Sequence, residues 1–256
     1  MQYTHIPYVQ VRHNALVMYT VLDPQPTRRI PEFKKRSYSG AMTPHARKRI
    51  KKAVDILIQK NPPRRIWNPV ISKFHDFSLA FVTLTIHEPQ VITAADAYPV
   101  LLKPFLRHFR RQFKDWSYIW KAELQKRGQL HYHLTSNEFM PHDEIRKVWN
   151  RLQKRHGLLN TFAAKYRHFN PNSTDVHAVW MVKSLPAYLM KYLSKDGGVT
   201  KGKVWDCSKD LKKERFSSMG WCADDKKLWA AAELKQASCE VLKHCTIWNV
   251  ERPAEF

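Results

Sequence analysis

The sequence predicts an α+β fold, an antiparallel sheet of about five strands with flanking helices and an extension at each end. Three observations predict it. Leu79-Ala80-Phe81-Val82-Thr83-Leu84-Thr85-Ile86 is a run of β-forming residues long enough for one buried strand. Apolar residues recur at helical spacing in residues 94–114 and again after Pro141. Between those helices, Gln125-Lys126-Arg127-Gly128-Gln129 joins two strand-like segments, and Gly128 supplies the permissive backbone of a hairpin loop. Strand, helix, hairpin, helix, strand packs most simply as an antiparallel sheet with helices on one face.

The elements follow in order. Residues 1–75 form a basic amino-terminal accessory region, with a strand at residues 15–22 and a basic loop after Pro24 and Pro26. Thr43 is the expected N-cap of a helix with Pro44 at its first position, running to about Lys60 and stopped by Pro62-Pro63. The core spans residues 76–214. The helix at residues 94–114 carries Leu101, Leu102, Phe105, Leu106 and Phe109 on its apolar side, and the hairpin strands cover residues 116–124 and 130–135. A helix opened by Pro141-His142-Asp143-Glu144 turns Ile145, Val148, Trp149 and Leu152 to one face. A strand at residues 175–182 leads into a helix at residues 185–195, ended by Gly197-Gly198. A short fifth strand falls near residues 203–207, and the extension at residues 215–256 reads as helical around residues 224–242.

Composition narrows the function. Of 256 residues, 43% are hydrophobic and 12% aromatic, which is ample for a packed core and excludes a wholly disordered chain. A formal net charge of +22 costs self-repulsion and points to a polyanionic partner, nucleic acid ahead of a membrane surface. No apolar stretch of about 18 residues is present, and the opening MQYTHIPYVQVRHN lacks the apolar segment of a signal peptide. Cys207, Cys222, Cys239 and Cys245 form no Cys-x-x-Cys pair, so reduced thiols inside a cell are expected. Gly197-Gly198-Val199-Thr200-Lys201-Gly202-Lys203 has the wrong spacing for a phosphate loop, so no ATP motor is expected.

Two constellations carry chemistry. The first is Glu123 with His131-Tyr132-His133. Side chains alternate along a strand, so His131 and His133 share a face about 7 Å apart and Tyr132 points away. Hairpin pairing puts Glu123 opposite residues 131–133. One carboxylate and two imidazoles suit Mg²⁺ or Mn²⁺ with positions open for a phosphate. Two histidines at this spacing also occur on purely structural strands; the placement of Glu123 favours a metal site.

The second constellation is Tyr188-Leu189-Met190-Lys191-Tyr192-Leu193-Ser194-Lys195. On a helix, residues 188, 191, 192 and 195 form one stripe, while Leu185, Leu189 and Leu193 form another that can hold the helix to the sheet. The tyrosine Cα atoms stand about 6 Å apart. A phenol is a poor nucleophile at neutral pH, and a nearby lysine can favour the phenolate and stabilise charge on a phosphate. Alone, such a stripe equally describes side chains lying along a helix flank.

Taken with Phe81-Val82-Thr83-Leu84-Thr85, Glu123, His131-Tyr132-His133 and Tyr188-x-x-Lys191-Tyr192-x-x-Lys195 occur in an order that resembles the HUH endonuclease superfamily, most closely the two-tyrosine rolling-circle replication initiators of small single-stranded DNA phages and plasmids. The resemblance covers about residues 79–210; Val204-Trp205-Asp206-Cys207-Ser208 is a weaker match within it, and residues 1–75 and 215–256 lie outside it. It implies a ferredoxin-like core, a metal held by Glu123, His131 and His133, and tyrosines on a helix facing them. It further implies attack by one tyrosine on an origin in single-stranded DNA, leaving a 5′-phosphotyrosine and a free 3′-OH. Tyr188 is the expected first nucleophile, Tyr192 the second, with Lys191 and Lys195 assisting. The implied partners are the origin strand and a host helicase and polymerase, in the cytoplasm of a bacterial host, with no role for a membrane.

Substrate contacts are expected from Arg107, Arg110, Arg111 and Lys114 on one helix, from Arg47, Lys48, Arg49, Lys51 and Lys52 on another, and from Thr83 and Thr85. Trp116, Trp120 and Trp149 offer stacking faces but are expected in the core. Other readings stay open. A transposase of the same superfamily shares the chemistry, although the Cys-rich zinc modules of its two-tyrosine members are missing here. Relaxases add a third histidine after the pair, and His142 is too far downstream for that. A non-catalytic nucleic-acid-binding module also combines a sheet of this size with helices.

Overall fold

The run of β-formers after Ser78 does form the central strand of a sheet. The computed structural model describes residues 4–12, 15–23, 42–68, 72–88, 92–179, 185–193, 198, 202–214, 218–220, 238–242 and 245–249. The chain divides into two units, residues 36–213 and residues 1–35 with 214–256.

In the larger unit, α1 (Pro44–Lys60) begins where Thr43 Oγ1 accepts from the Ala46 N–H, the cap expected from Thr-Pro. Strands β3 (Arg64–Asn68) and β4 (Lys73–Phe77) make a separate two-stranded ribbon. Then come β5 (Leu79–Thr85), α2 (Ala94–Ala97), a π-helical turn at Tyr98–Leu102, and α3 (Lys103–Gln112). The single helix expected over residues 94–114 is therefore interrupted by a wide turn. Pro104 has no N–H for the carbonyl four residues back, and the π turn absorbs the loss.

The hairpin follows as β6 (Tyr118–Leu124) and β7 (Leu130–Ser136), with Gly128 at φ 81° closing the loop. Next come α4 (His142–Arg155), α5 (Asn160–Tyr166), β8 (Thr174–Val179), α6 (Leu185–Leu193), β9 (Trp205–Cys207) and α7 (Lys209–Lys213). The α5 helix had no expectation in the sequence. Residues 180–182, Lys195 and Gly197 lie outside the described residues, as do Pro24 and Pro26.

The main sheet has the order β8-β5-β7-β6-β9 with antiparallel neighbours. Strand, helix, hairpin, helix, strand with β5 and β7 central is a ferredoxin-like core, extended at one edge by β9. Its core face is dense with rings. Trp120 stacks near Tyr98, Tyr132 meets Trp120 and Trp149 edge-on, and Phe105 meets Trp149 edge-on. Trp116, Trp120 and Trp149 are all buried, as expected. That face is covered by α3 and α4. The one-face packing is incomplete, however, because α6 lies over the opposite face, where the Tyr192 ring centroid is 5.2 Å from that of Phe81, and α1 packs against α6. An apolar stripe on each of these helices, Leu189 and Leu193 on one and Ile50, Val54 and Leu57 on the other, needs such a surface.

In the smaller unit, β1 (Thr4–Val11), β2 (Ala15–Asp23), β10 (Ser218–Gly220), β11 (Ser238–Leu242) and β12 (Cys245–Asn249) form a second antiparallel sheet, ordered β10-β1-β2-β12-β11. The helix expected around residues 224–242 is corrected here. Residues 238–242 are a strand, because β12 pairs with both β11 and β2, and a strand satisfies that ladder where a helix cannot. Residues 224–237 lie outside the described residues. The expected boundaries at residues 75 and 215 also shift, since residues 36–75 belong to the larger unit and the two chain ends share one sheet.

Candidate active site

Strand pairing builds the site on the face of the sheet that α6 covers. Glu123 is directly opposite His131, and Lys121 is opposite His133. On the other side of β7, Thr83 is opposite His133 and Thr85 opposite His131. Alternation turns all of these side chains to one face and sends Tyr132 into the core, where burial pushes its phenol well above the ordinary range.

Both imidazoles are oriented from behind. His133 Nδ1 lies 3.3 Å from Thr83 Oγ1, and His131 Nδ1 lies 3.4 Å from Thr85 Oγ1 and 3.2 Å from the Gln125 amide. Thr83 and Thr85, expected on the DNA, hold the histidines instead. His133 Nε2 meets Glu123 Oε2 at 3.0 Å, while His131 Nε2 is buried with no hydrogen-bond partner. A buried unpaired nitrogen is costly, and a bound cation would satisfy it. Burial, then the neighbouring His133, lowers the His131 pKa to about 4 against a smaller opposing pull from Glu123, so its imidazole is neutral at physiological pH, the form that ligates. The ring centroids are 6.3 Å apart. Among the described residues no three His, Cys, Asp or Glu side chains close on one point at ligating distance.

The tyrosine helix stands over this group. Leu189 and Leu193 are fully buried and seat α6, leaving Tyr188 and Tyr192 half-buried on the neighbouring stripe. Tyr192 has its ring centroid 6.2 Å from that of His133, and the two tyrosine rings meet edge-on at 5.2 Å. The Tyr188 hydroxyl lies 3.3 Å from His177 Nε2, and His177 Nδ1 lies 3.5 Å from Asp175 Oδ2. Burial raises the Tyr188 pKa first, followed by Tyr192 and by the Asp175 charge. The expected help from Lys191 takes a different form. Its Nζ lies 5.8 Å from the Tyr192 ring centroid, so its charge serves that tyrosine while Tyr188 faces an imidazole and a carboxylate. Lys195 lies outside the described residues.

Three functional candidates escaped the sequence reading. Asp175 and His177 alternate on β8, and only the pairing of Phe81 with His177 brings them to the site face. Lys121 is fully buried and donates to the Tyr192 carbonyl at 3.3 Å, fixing the tyrosine helix to the sheet. An isolated lysine between Trp120 and Ala122 gives no signal until its neighbours are known.

The basic helices are placed unequally. On α1, Arg47, Lys48, Arg49, Lys51 and Lys52 are exposed, and the Arg49 guanidinium lies 5.4 Å from the Trp205 ring on the site face. Arg107, Arg110, Arg111 and Lys114 are exposed too, but α3 packs on the opposite face of the sheet, so this cluster is not brought to the site. Arg110 also donates to the Tyr118 hydroxyl. Among the described residues no helix is long and apolar enough to cross a membrane.

Residues 79–197 match the family model of the replication-associated protein ORF2. The matched segment begins at β5 and ends just beyond α6. It contains Glu123, His131, His133, Tyr188 and Tyr192, although it covers less than half of the chain. Comparison with curated proteins and with solved structures finds no match.

Proposed function

We propose that the protein is a replication initiator that nicks single-stranded DNA at an origin through tyrosine attack. The observation that carries the reading is the stacking of two helical tyrosines over the sheet face that holds Glu123, His131 and His133, inside the segment similar to a replication-associated family. Glu123, His131 and His133 would hold Mg²⁺ or Mn²⁺, a donor set that fits either ion, and the unpaired buried nitrogen of His131 supports that assignment. The ion supplies Lewis-acid polarisation of the scissile phosphate.

The chain's own groups perform the rest. Tyr188 Oη attacks phosphorus while its proton passes to His177 Nε2, which Asp175 orients through Nδ1. The bond from phosphorus to the 3′ oxygen breaks, that oxygen takes a proton from solvent, and the 5′-phosphate remains on Tyr188. The free 3′-OH serves a host polymerase, with strand separation by a host helicase. Tyr192, beside His133 and Lys191, attacks the regenerated junction after one round and permits circle release. Lys195 would extend the same basic stripe.

Incubation with oligonucleotides tiling the protein's own replicon, with Mn²⁺ or Mg²⁺ and with EDTA, tests the reading. A site-specific nick on one tile, absent in EDTA, is the expected result. Binding without nicking on every tile, indifferent to EDTA, would make the protein a non-catalytic nucleic-acid binder.

A further inference from the structure

The ribbon of β3 and β4 belongs to neither five-stranded sheet. Its pairing sets Trp67 opposite Phe74 and Arg65 opposite Asp76, so these side chains share one face. Trp67 is 51% exposed and Phe74 57%, unusual for large aromatic residues. Their rings meet edge-on with centroids 5.0 Å apart, and the Arg65 guanidinium lies 5.4 Å from the Phe74 ring centroid. The root of the ribbon is fixed. Phe77 is buried and edge-on to Phe139 at 6.2 Å, and Arg64 donates to the Asn137 carbonyl at 3.2 Å and pairs with Glu138 at 3.0 Å. The ribbon is thus held at its base and bare at its aromatic pair.

We propose that this ribbon is a stacking arm for unpaired DNA bases, with Trp67 and Phe74 taking base faces and Arg65 and Lys73 meeting the adjacent phosphates. The inference rests on the reading of single-stranded DNA as substrate. Charge complementarity selects the occupant, because Arg64, Arg65 and Lys73 outnumber Asp76 on an arm of a chain carrying +22. Open ring faces select unpaired bases, since a paired base hides its own faces inside the duplex stack. Phe77 precedes Thr83 by about 20 Å of extended chain, so the arm engages DNA flanking the scissile phosphate rather than the phosphate itself.

The test titrates the full-length protein into fluorescently labelled oligodeoxythymidylate in EDTA, where cleavage is not scored. Wild type binds, and Trp67→Ala with Phe74→Ala weakens binding about tenfold or more. Trp67→Phe retains most of the affinity, and thermal midpoints stay with wild type because the pair is exposed. Unchanged affinity in the double variant, or a loss confined to duplex DNA, would overturn the stacking arm. Failure of the wild type itself to bind the oligonucleotide would instead remove the single-strand reading on which the arm rests.

Discussion

At the scale of the residue, the site depends on what stands behind each reacting group. His177 is the sharpest case, because its Nε2 faces the Tyr188 hydroxyl while Asp175 holds its other nitrogen. His177→Ala is expected to slow nicking about 100-fold or more, and added imidazole restores part of the rate. Loss of rate without imidazole rescue would assign His177 a packing role. Glu123, His131, His133, Tyr188 and Tyr192 were legible in the sequence because their pattern is local, two residues apart on a strand or four on a helix. Asp175, His177 and Lys121 were not, because their roles come from pairing between strands far apart in the chain. Thr83 and Thr85 were noticed but misassigned, since cross-strand register alone puts their hydroxyls on imidazole nitrogens. Gly202 is a structural counterpart. It adopts φ +90°, and a Cβ there would sit 2.5 Å from the Ala95 backbone nitrogen. Gly202→Ala should cost about 2 kcal/mol or more, read as a lowered denaturant midpoint.

At the scale of the element, β9 joins the sheet only through β6, and its edge is tied down by charge. Asp206 pairs with Lys203 and, at 2.7 Å, with Lys212. Burial pushes its carboxyl up, but hydrogen bonds from both lysines and the Cys207 N–H outweigh that and hold it below the ordinary value. A carboxyl with a depressed folded-state pKa adds stability at pH values above its ordinary range. That contribution fades as pH falls through the lower, folded-state value. Acid unfolding of wild type should therefore be steeper below about pH 4 than that of Asp206→Asn, and parallel acid profiles would exclude this contribution. Among the elements, α1 and the hairpin were readable because a Thr-Pro cap and a Gly-containing loop fix their ends locally. The π turn before α3 was not readable, because two prolines in a helical pattern do not say whether the helix breaks or widens.

At the scale of the molecule, the larger unit contains every proposed catalytic group among the described residues, and its ferredoxin-like order follows from a strand and helix sequence that was legible throughout. The smaller unit was largely illegible because its sheet joins β1 and β2 to strands over 200 residues later in the chain. Short polar strands such as Ser238–Leu242 carry little periodicity of their own, so distant pairing overrides their local preference. The central claim is that this unit delivers Tyr188 to a phosphate. Its most direct test digests the protein–oligonucleotide product formed with Mn²⁺ and locates the attached 5′-phosphate by mass spectrometry. The account predicts a nucleotide on the peptide bearing Tyr188, and none on that peptide in Tyr188→Phe. A product nicked by water, with no nucleotide on Tyr188 or Tyr192, would contradict it.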